Sequence, residues 1–170
     1  DEAISRGIAA LSNLLSTTEN LTEDNFRVVA TYTLRQAKNA KKFLRKARKV
    51  FPFDIEIISG HEEARLIYQG VAHNSDAQKR QLIIDIGGGS TECVIGEAFN
   101  VKALVSLNIG CVSFQQRYFA NGEITSKQFN RAIIAAKCEI EAIVKRFRKK
   151  GWQAAIGTSG TVKSINNIIN

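Results

Sequence analysis

The chain has 170 residues, of which 44% are hydrophobic, and a formal net charge of +8 at pH 7. This composition is typical of a globular protein that can bury a core as one large domain or two small ones, and it argues against a disordered chain. No apolar run approaches the roughly 20 residues of a membrane helix, so we expect no membrane segment. The excess of positive charge instead predicts an acidic partner.

The cysteines, at positions 93, 111 and 138, are odd in number and lack Cys-x-x-Cys spacing. Cys93 and Cys138 lie among apolar residues, which predicts reduced, buried thiols rather than a disulfide framework or a zinc site. Reduced thiols in turn indicate a cytoplasmic protein.

The first half of the chain alternates predicted helices and strands. Apolar periodicity predicts a helix over residues 3–15 and strands over residues 26–32 and 53–58. Thr33 and Gln36 have the spacing of a capping box, which predicts a basic helix that continues to Val50. A second capping box, Ser59 with Glu62, predicts a helix over residues 60–72. The polar linker at residues 73–79 is the predicted domain boundary.

The second half begins with a glycine-rich hairpin, whose strands contain the apolar runs at residues 82–84 and 93–95. After it, the pattern predicts a strand, a short helix, a long helix opened by a capping box at Thr125 and Gln128, a further strand and a final apolar helix. Their predicted ranges are 101–108, 112–119, 125–149, 152–156 and 161–169. This order of elements predicts an α/β fold with a mixed sheet and flanking helices.

The hairpin turn carries an acid at each end, in the sequence Asp85-Ile86-Gly87-Gly88-Gly89-Ser90-Thr91-Glu92. If Ile86 pairs with Thr91, then Asp85 and Glu92 lie opposite each other, with Cβ atoms about 5 Å apart. Mg²⁺ suits such a pair, since it binds one or two carboxylates together with water and phosphate oxygens. The glycines permit positive φ angles, and the turn amides can form an anion-binding nest. The alternative is a purely structural hairpin, but Asp85 interrupts an apolar strand and therefore needs a partner.

Glu63 is the candidate general base of the helix over residues 60–72. Helical spacing places Glu62 on the polar face with Arg65, whereas Glu63 shares a face with Leu66, Ile67 and Gly70. A carboxylate on this inward stripe can lie in a cleft and accept a proton. The alternative is an acid that is simply favoured by the positive end of the helix dipole.

Two further features suit an anionic substrate. Residues 157–161, Gly-Thr-Ser-Gly-Thr, lie between a strand and a helix, where free amides can bind an anion, although a plain turn explains them equally well. Opposite its apolar stripe, the predicted basic helix bears four cations: Lys38, Lys42, Arg45 and Lys49. They form either a polyanion track or a solvated face. No nucleic-acid module is recognisable and aromatic residues are few, so we expect no specific nucleic-acid binding.

Several of these motifs together resemble one family. The Asp85–Glu92 sequence looks like the second phosphate loop of the actin-like ATPase superfamily. Four further motifs, at residues 30–35, 58–68, 110–114 and 157–161, resemble the exopolyphosphatase and guanosine pentaphosphate phosphohydrolase family. The resemblance implies Mg²⁺-dependent hydrolysis of a phosphoanhydride of polyphosphate or guanosine pentaphosphate. It also implies two ribonuclease-H-like domains, here residues 1–77 and 78–170, and a homodimeric parent protein.

Carried over by motif, Glu63 matches the family's catalytic base, and Asp85 and Glu92 match its acidic metal-site residues. The phosphate-binding positions implied by the two glycine-containing loops are Gly87, Gly88, Gly89, Ser90, Thr91, Gly157, Thr158, Ser159 and Gly160. The family's first phosphate loop, Asp-x-Gly-Ser-Asn-Ser, is not found, so we expect a fragment with little activity of its own. The alternatives are a kinase or chaperone-type ATPase of the same superfamily and a non-catalytic phosphate-binding module.

Overall fold

A computed structural model describes residues 2–16, 21–22 and 24–170 and divides the chain into two compact units, Asp1–Ser59 and Gly60–Asn170. In the first unit, strands β1 and β2 pair in parallel, with Val28 opposite Ile55. Its elements are α1 (Glu2–Ser16), β1 (Val28–Ala30), α2 (Tyr32–Gln36), α3 (Ala40–Ala47) and β2 (Ile55–Ile57). The helix predicted over residues 3–15 is therefore confirmed.

The basic segment forms two short helices, so the prediction of one continuous helix was wrong. Ala37 has extended backbone, with ψ of 119°, and cannot continue the hydrogen-bonding pattern of α2. The predicted capping box is wrong as well, because α2 begins at Tyr32 and Thr33 lies inside it. Asn39 then precedes α3 as its N-cap residue.

The second unit is built on a four-stranded mixed sheet with the strand order β5-β4-β3-β6. Strands β3, β4 and β5 are antiparallel neighbours, whereas β6 runs parallel to β3. The elements of this unit are α4 (Gly60–His73), β3 (Gln81–Ile86), β4 (Thr91–Glu97), β5 (Asn100–Leu107), α5 (Cys111–Tyr118), α6 (Ser126–Lys150), β6 (Ala154–Thr158) and α7 (Ser159–Ile169). The predicted mixed sheet and the capping box of Thr125 with Gln128 are both confirmed.

Helix α4 covers one face of this sheet. Its buried residues Ala64 and Tyr68 pack against Ile83 and Val94, both of which are fully buried. A side chain at Gly96 would overlap the Tyr68 ring, so the close approach of the helix requires glycine there. The strand period of two therefore directs the odd-numbered residues of β3 and the even-numbered residues of β4 toward α4.

Helix α6 covers the opposite face, where Phe147 and partly buried Ile143 pack with Leu82, Cys93 and Ile95. The prediction of a buried Cys93 is confirmed, whereas the prediction for Cys138 was wrong, because its thiol is exposed on α6. Apolar neighbours in sequence mark the amphipathic helix without revealing which side of it a given residue occupies.

The division into compact units falls at Ser59/Gly60, before α4, whereas the predicted boundary lies after that helix, at residues 73–79. The buried stripe of α4 packs on β3 and β4, and this grouping depends on tertiary contacts that the sequence does not display. The assignment of residues 1–77 and 78–170 to two ribonuclease-H-like domains remains a prediction. Among the described helices, none combines the length and the apolar character needed to cross a bilayer.

Candidate active site

The hairpin places the two predicted acids opposite each other. Ile86 pairs with Thr91 and Asp85 with Glu92, in the predicted register. The neighbouring strands extend this level of the sheet, since Ser106 of β5 pairs with Glu92 and Thr158 of β6 pairs with Asp85. We refer to Ser106, Glu92, Asp85 and Thr158 as the polar row. By strand alternation the row lies on the face covered by α4.

Each acid of the polar row is held by the hydroxyl next to it. Ser106 Oγ donates to Glu92 Oε1 over 2.7 Å, and Thr158 Oγ1 donates to Asp85 Oδ2 over 2.6 Å. The other oxygen of Asp85, Oδ1, lies on the side of the glycine turn, 3.9 Å from the position that a Cβ on Gly87 would occupy. Glu92 is only 1% exposed, so its negative charge is deeply placed and one of its oxygens is already oriented.

The N-terminus of α5 holds the glycine turn. Cys111 N donates to Gly87 O over 3.0 Å, and Val112 N and Ser113 N donate to Gly88 O over 2.8 and 2.9 Å. Ser113 Oγ donates to Gly89 O over 3.1 Å. In a trans peptide the N–H points opposite to the C=O, so these bonds direct the amides of Gly88, Gly89 and Ser90 away from α5.

The anion-binding nest predicted at the glycine turn is therefore formed by only some of the turn amides. Gly87 N is used inside the turn, where it donates to Ser90 O over 3.0 Å. Within the part of the chain that the structure describes, the amides of Gly88, Gly89 and Ser90 have no protein partner. Three adjacent amides with a common direction form a concave donor site for an anion.

Two details of the predicted turn differ in the structure. The turn glycines do not have the expected positive φ angles; among the described glycines, Gly122 and Gly151 have them. The lack of a side chain matters instead, since a Cβ on Gly87 would lie 3.2 Å from Ser90 O. Thr91, a predicted phosphate-binding residue, is buried on the α6 face and its hydroxyl donates to Ile109 O over 2.6 Å.

The second predicted phosphate loop lies at the same sheet edge as the glycine turn, because β3 and β6 are parallel. Strand β6 continues to Thr158, two residues beyond its predicted end, and α7 starts at Ser159, whose φ of 75° sets a sharp change of direction. A Cβ on Gly157 would lie 2.5 Å from Val162, which explains the glycine at this position. Thr158 does not cap α7 with its side chain, and its hydroxyl donates to Asp85.

Glu63 lies in the first turn of α4 and is half-buried. The buried stripe of α4 differs from the predicted inward stripe that contained Glu63. Its buried residues are Ala64, Tyr68 and Ala72, and Glu63 lies at its edge. One turn further along α4, Ile67 lines a cavity of about 450 Å³ whose opposite wall includes Ile156 and Thr158.

The direction of α4 brings Glu63 toward the polar row. Tyr68 packs against Gly96, which pairs with Gln81 at the start of β3, and Ser75, two residues after the end of α4, donates its hydroxyl to Gln81 Oε1 over 3.1 Å. The helix therefore runs antiparallel to β3, and its first turn lies at the edge that carries Asp85 and the glycine turn. Glu62 instead pairs with Arg65 over 2.7 Å on the outer face, as the sequence predicted.

The carboxylates of the polar row fit a hydrated Mg²⁺ ion. Asp85 and Glu92 are register partners on one face, and each has one oxygen oriented by a hydroxyl. In the described part of the chain, no set of three or more His, Cys, Asp and Glu side chains is grouped as a metal cage. Mg²⁺ favours one or two carboxylates together with water and phosphate oxygens, so Asp85 and Glu92 are the side chains that could hold it.

The predicted polyanion track lies in the first unit and is less regular than the sequence suggested. Lys42 and Arg45 are on α3, whereas Lys38 precedes that helix and Lys49 follows it. Lys38, Arg45 and Lys49 are exposed and Lys42 is half-buried. Because α3 spans only Ala40–Ala47, Lys38 and Lys49 lie outside it and the four cations do not share one continuous helical face.

Comparison with known proteins agrees with this arrangement. The family model of the Ppx/GppA phosphatase family matches residues 1–170. The chain belongs to the Ppx/GppA phosphatase family. Its curated relatives include a guanosine-5'-triphosphate,3'-diphosphate pyrophosphatase of Vibrio cholerae, 43% identical over 99% of the chain, and a putative exopolyphosphatase of Haemophilus influenzae, 45% identical over 99%. The chain spans 34% and 52%, respectively, of the lengths of these relatives.

Solved structures share the fold. An exopolyphosphatase-like protein superposes with a TM-score of 0.84 at 30% identity, covering 95% of this chain and 52% of that one. The Ppx/GppA family member of Aquifex aeolicus superposes with a TM-score of 0.72 at 26% identity, covering 95% and 51%. These matches confirm the predicted family and the predicted α/β fold with its mixed sheet.

Sequence reasoning missed Ser106 and the role of α5. Ser106 is a polar residue in a strand of mostly apolar residues. Once the strand register shows that it pairs with Glu92, its polarity indicates a place in the site. Gly110 and Ser113 were noticed only as part of a family motif. Their contact with the glycine turn depends on how α5 docks.

Proposed function

We propose that the full-length protein hydrolyses a terminal phosphoanhydride, with inorganic polyphosphate or guanosine pentaphosphate as substrate. The observation that carries this proposal is the common location of the acid pair, the outward-pointing turn amides and the first turn of α4 at one sheet edge. The printed names of the relatives, a pyrophosphatase acting on a guanosine polyphosphate and an exopolyphosphatase, support the substrate class.

The residues of the chain divide the work of such a reaction. The amides of Gly88, Gly89 and Ser90 donate to oxygens of the terminal phosphoryl group, where negative charge must be stabilised in the transition state. Glu63 accepts the proton of the attacking water at its carboxylate. Gly157, Thr158, Ser159 and Gly160 border the same edge, and the amides that begin α7 add donors for a second phosphate group.

Asp85 and Glu92 are the residues that would hold Mg²⁺. When bound, Mg²⁺ supplies positive charge next to the phosphate oxygens and so lowers the repulsion between an anionic substrate and the two carboxylates. The orientation of Asp85 Oδ1 toward the glycine turn supports this assignment, since the ion and the phosphate would then be neighbours.

The proposal also covers the basic residues of the first unit, the cellular location and the oligomeric state. Lys38, Lys42, Arg45 and Lys49 would attract a polyanion over distances comparable to the Debye length of about 10 Å. A cytoplasmic location is part of the proposal, and the three free cysteines support it. A homodimer of the full-length protein is part of the same proposal and is checked by its mass in solution.

The test is phosphate release by the full-length protein from both substrates, with Mg²⁺ and with a chelator. Asp85→Asn and Glu92→Gln should each reduce turnover by orders of magnitude while the fold is retained. Glu97→Gln is the matched control, because Glu97 lies at the far end of β4 and pairs with Arg80 over 3.1 Å. Equal activity of all three variants would refute the assignment of Asp85 and Glu92 to the active site. Binding of polyphosphate without turnover would indicate a non-catalytic module, and ATP-dependent transfer to an acceptor would indicate a kinase.

A further inference from the structure

Two hydroxyl groups terminate the polar row. Ser106 of β5 and Thr158 of β6 flank the acid pair, and each donates its hydroxyl proton to the nearer acid. The four residues occupy four adjacent strands at one register level, so the arrangement runs across the entire sheet. We propose that Ser106 and Thr158 are positioning residues that fix the carboxylates of Glu92 and Asp85 for divalent-cation binding. This inference rests on the proposed function.

The first argument is the direction of each donor. A hydroxyl that donates to one carboxylate oxygen fixes the rotation of the carboxylate group and leaves the second oxygen for another partner. For Asp85 the second oxygen, Oδ1, lies toward the glycine turn. The Thr158 bond therefore presents Oδ1 to the edge where an ion and a phosphate would meet.

The second argument is what the Thr158 hydroxyl does not do. Thr158 precedes α7 as its N-cap residue, a position where threonine usually accepts a bond from a backbone amide of the first turn. No such side-chain bond forms here, and the bond that the hydroxyl does form is its donation to Asp85 Oδ2 over 2.6 Å. Thr158 was predicted to bind phosphate, and the structure assigns its hydroxyl to the acid.

The third argument concerns Glu92, which is 1% exposed. A buried carboxylate needs hydrogen bonds, and Ser106 Oγ supplies one over 2.7 Å. Neighbours that orient metal-binding carboxylates typically change metal affinity by about 10- to 100-fold when removed. Ser106 and Thr158 have the geometry for that role, because each donates its hydroxyl proton to the acid beside it.

The experiment measures Mn²⁺ binding to the resting full-length protein by electron paramagnetic resonance, together with kcat and KM for polyphosphate. Thr158→Val removes the donor but keeps the shape, and it should weaken Mn²⁺ binding about 10- to 100-fold. Thr158→Ser retains the donor and should stay close to wild type. Ser106→Ala should weaken Mn²⁺ binding in the same direction. Thr125→Val is the matched control, because the Thr125 hydroxyl caps α6, and it should not alter Mn²⁺ affinity.

The outcomes separate this inference from the proposed function. Wild-type Mn²⁺ affinity in Thr158→Val and Ser106→Ala, in a protein that hydrolyses polyphosphate, overturns the positioning role and leaves the function intact. Equal losses in Thr158→Val and Thr158→Ser also overturn it, because the hydroxyl would not be the cause. Weakened Mn²⁺ binding in Thr158→Val with retention in Thr158→Ser supports it even if the wild-type protein releases no phosphate. Absence of Mn²⁺ binding by the wild-type protein overturns it.

Discussion

Replacing Gly110 with alanine should undock the glycine turn from α5. Gly110 has φ of −146° and ψ of 153°, an extended backbone that any residue adopts, so the substitution carries no dihedral penalty. The added Cβ would lie 2.5 Å from the carbonyl carbons of Gly88 and Gly89. These are backbone atoms that cannot rotate away, so the turn and the start of α5 must separate.

The magnitude follows from the bonds lost. Three backbone amides of α5 donate to the turn, and Ser113 adds its hydroxyl. At about 0.5–1 kcal/mol net for each of these four bonds, we expect the free energy of unfolding to fall by about 2–4 kcal/mol. Urea unfolding followed by circular dichroism measures this change.

Gly70→Ala is the matched control for the same substitution, since Gly70 lies inside α4 with no atom within 4 Å of a new Cβ. It should be neutral or stabilise the protein by about 0.5–1 kcal/mol. Ser113→Ala removes one bond without steric overlap and should cost about 1 kcal/mol. A Gly110→Ala variant as stable as Gly70→Ala would refute the assignment of α5 as the support of the turn.

Three further outcomes are expected. In the full-length protein, Glu63→Gln should lower kcat by about 10² to 10⁴, whereas Glu62→Gln should mainly affect stability; equal losses of kcat would contradict the assignment of the base. Burial, and then the charge of Glu92, raises the pKa of the Cys93 thiol to about 11. The stability that the neutral thiol contributes is therefore present below pH 9 and is lost toward pH 11. Between pH 8 and 10.5, the free energy of unfolding measured with urea should fall by about 2 kcal/mol more in wild type than in Cys93→Ala. Equal decreases in the two proteins would contradict the raised pKa. Polyphosphate affinity should fall as the salt concentration rises, and it should fall when Lys38, Lys42, Arg45 and Lys49 are replaced by Gln. Unchanged affinity would indicate that these residues form only a solvated face.

The sequence alone determined the local parts of the site. The strand period and the length of the glycine turn require Asp85 to face Glu92, and that register is the one observed. The capping box at Thr125 marked the start of α6, and helical spacing placed Glu62 and Arg65 on one polar face, where the structure pairs them. Each of these depends on residues close together in the chain, where periodicity and local hydrogen bonding decide the result.

The tertiary structure decided what lies next to the acids. The strand order β5-β4-β3-β6 brings Ser106 and Thr158 into line with Glu92 and Asp85, although neither is near its partner acid in sequence. The docking of α5 set the direction of the turn amides. Long-range pairing depends on which apolar faces are buried together, and one strand's pattern cannot specify its neighbours.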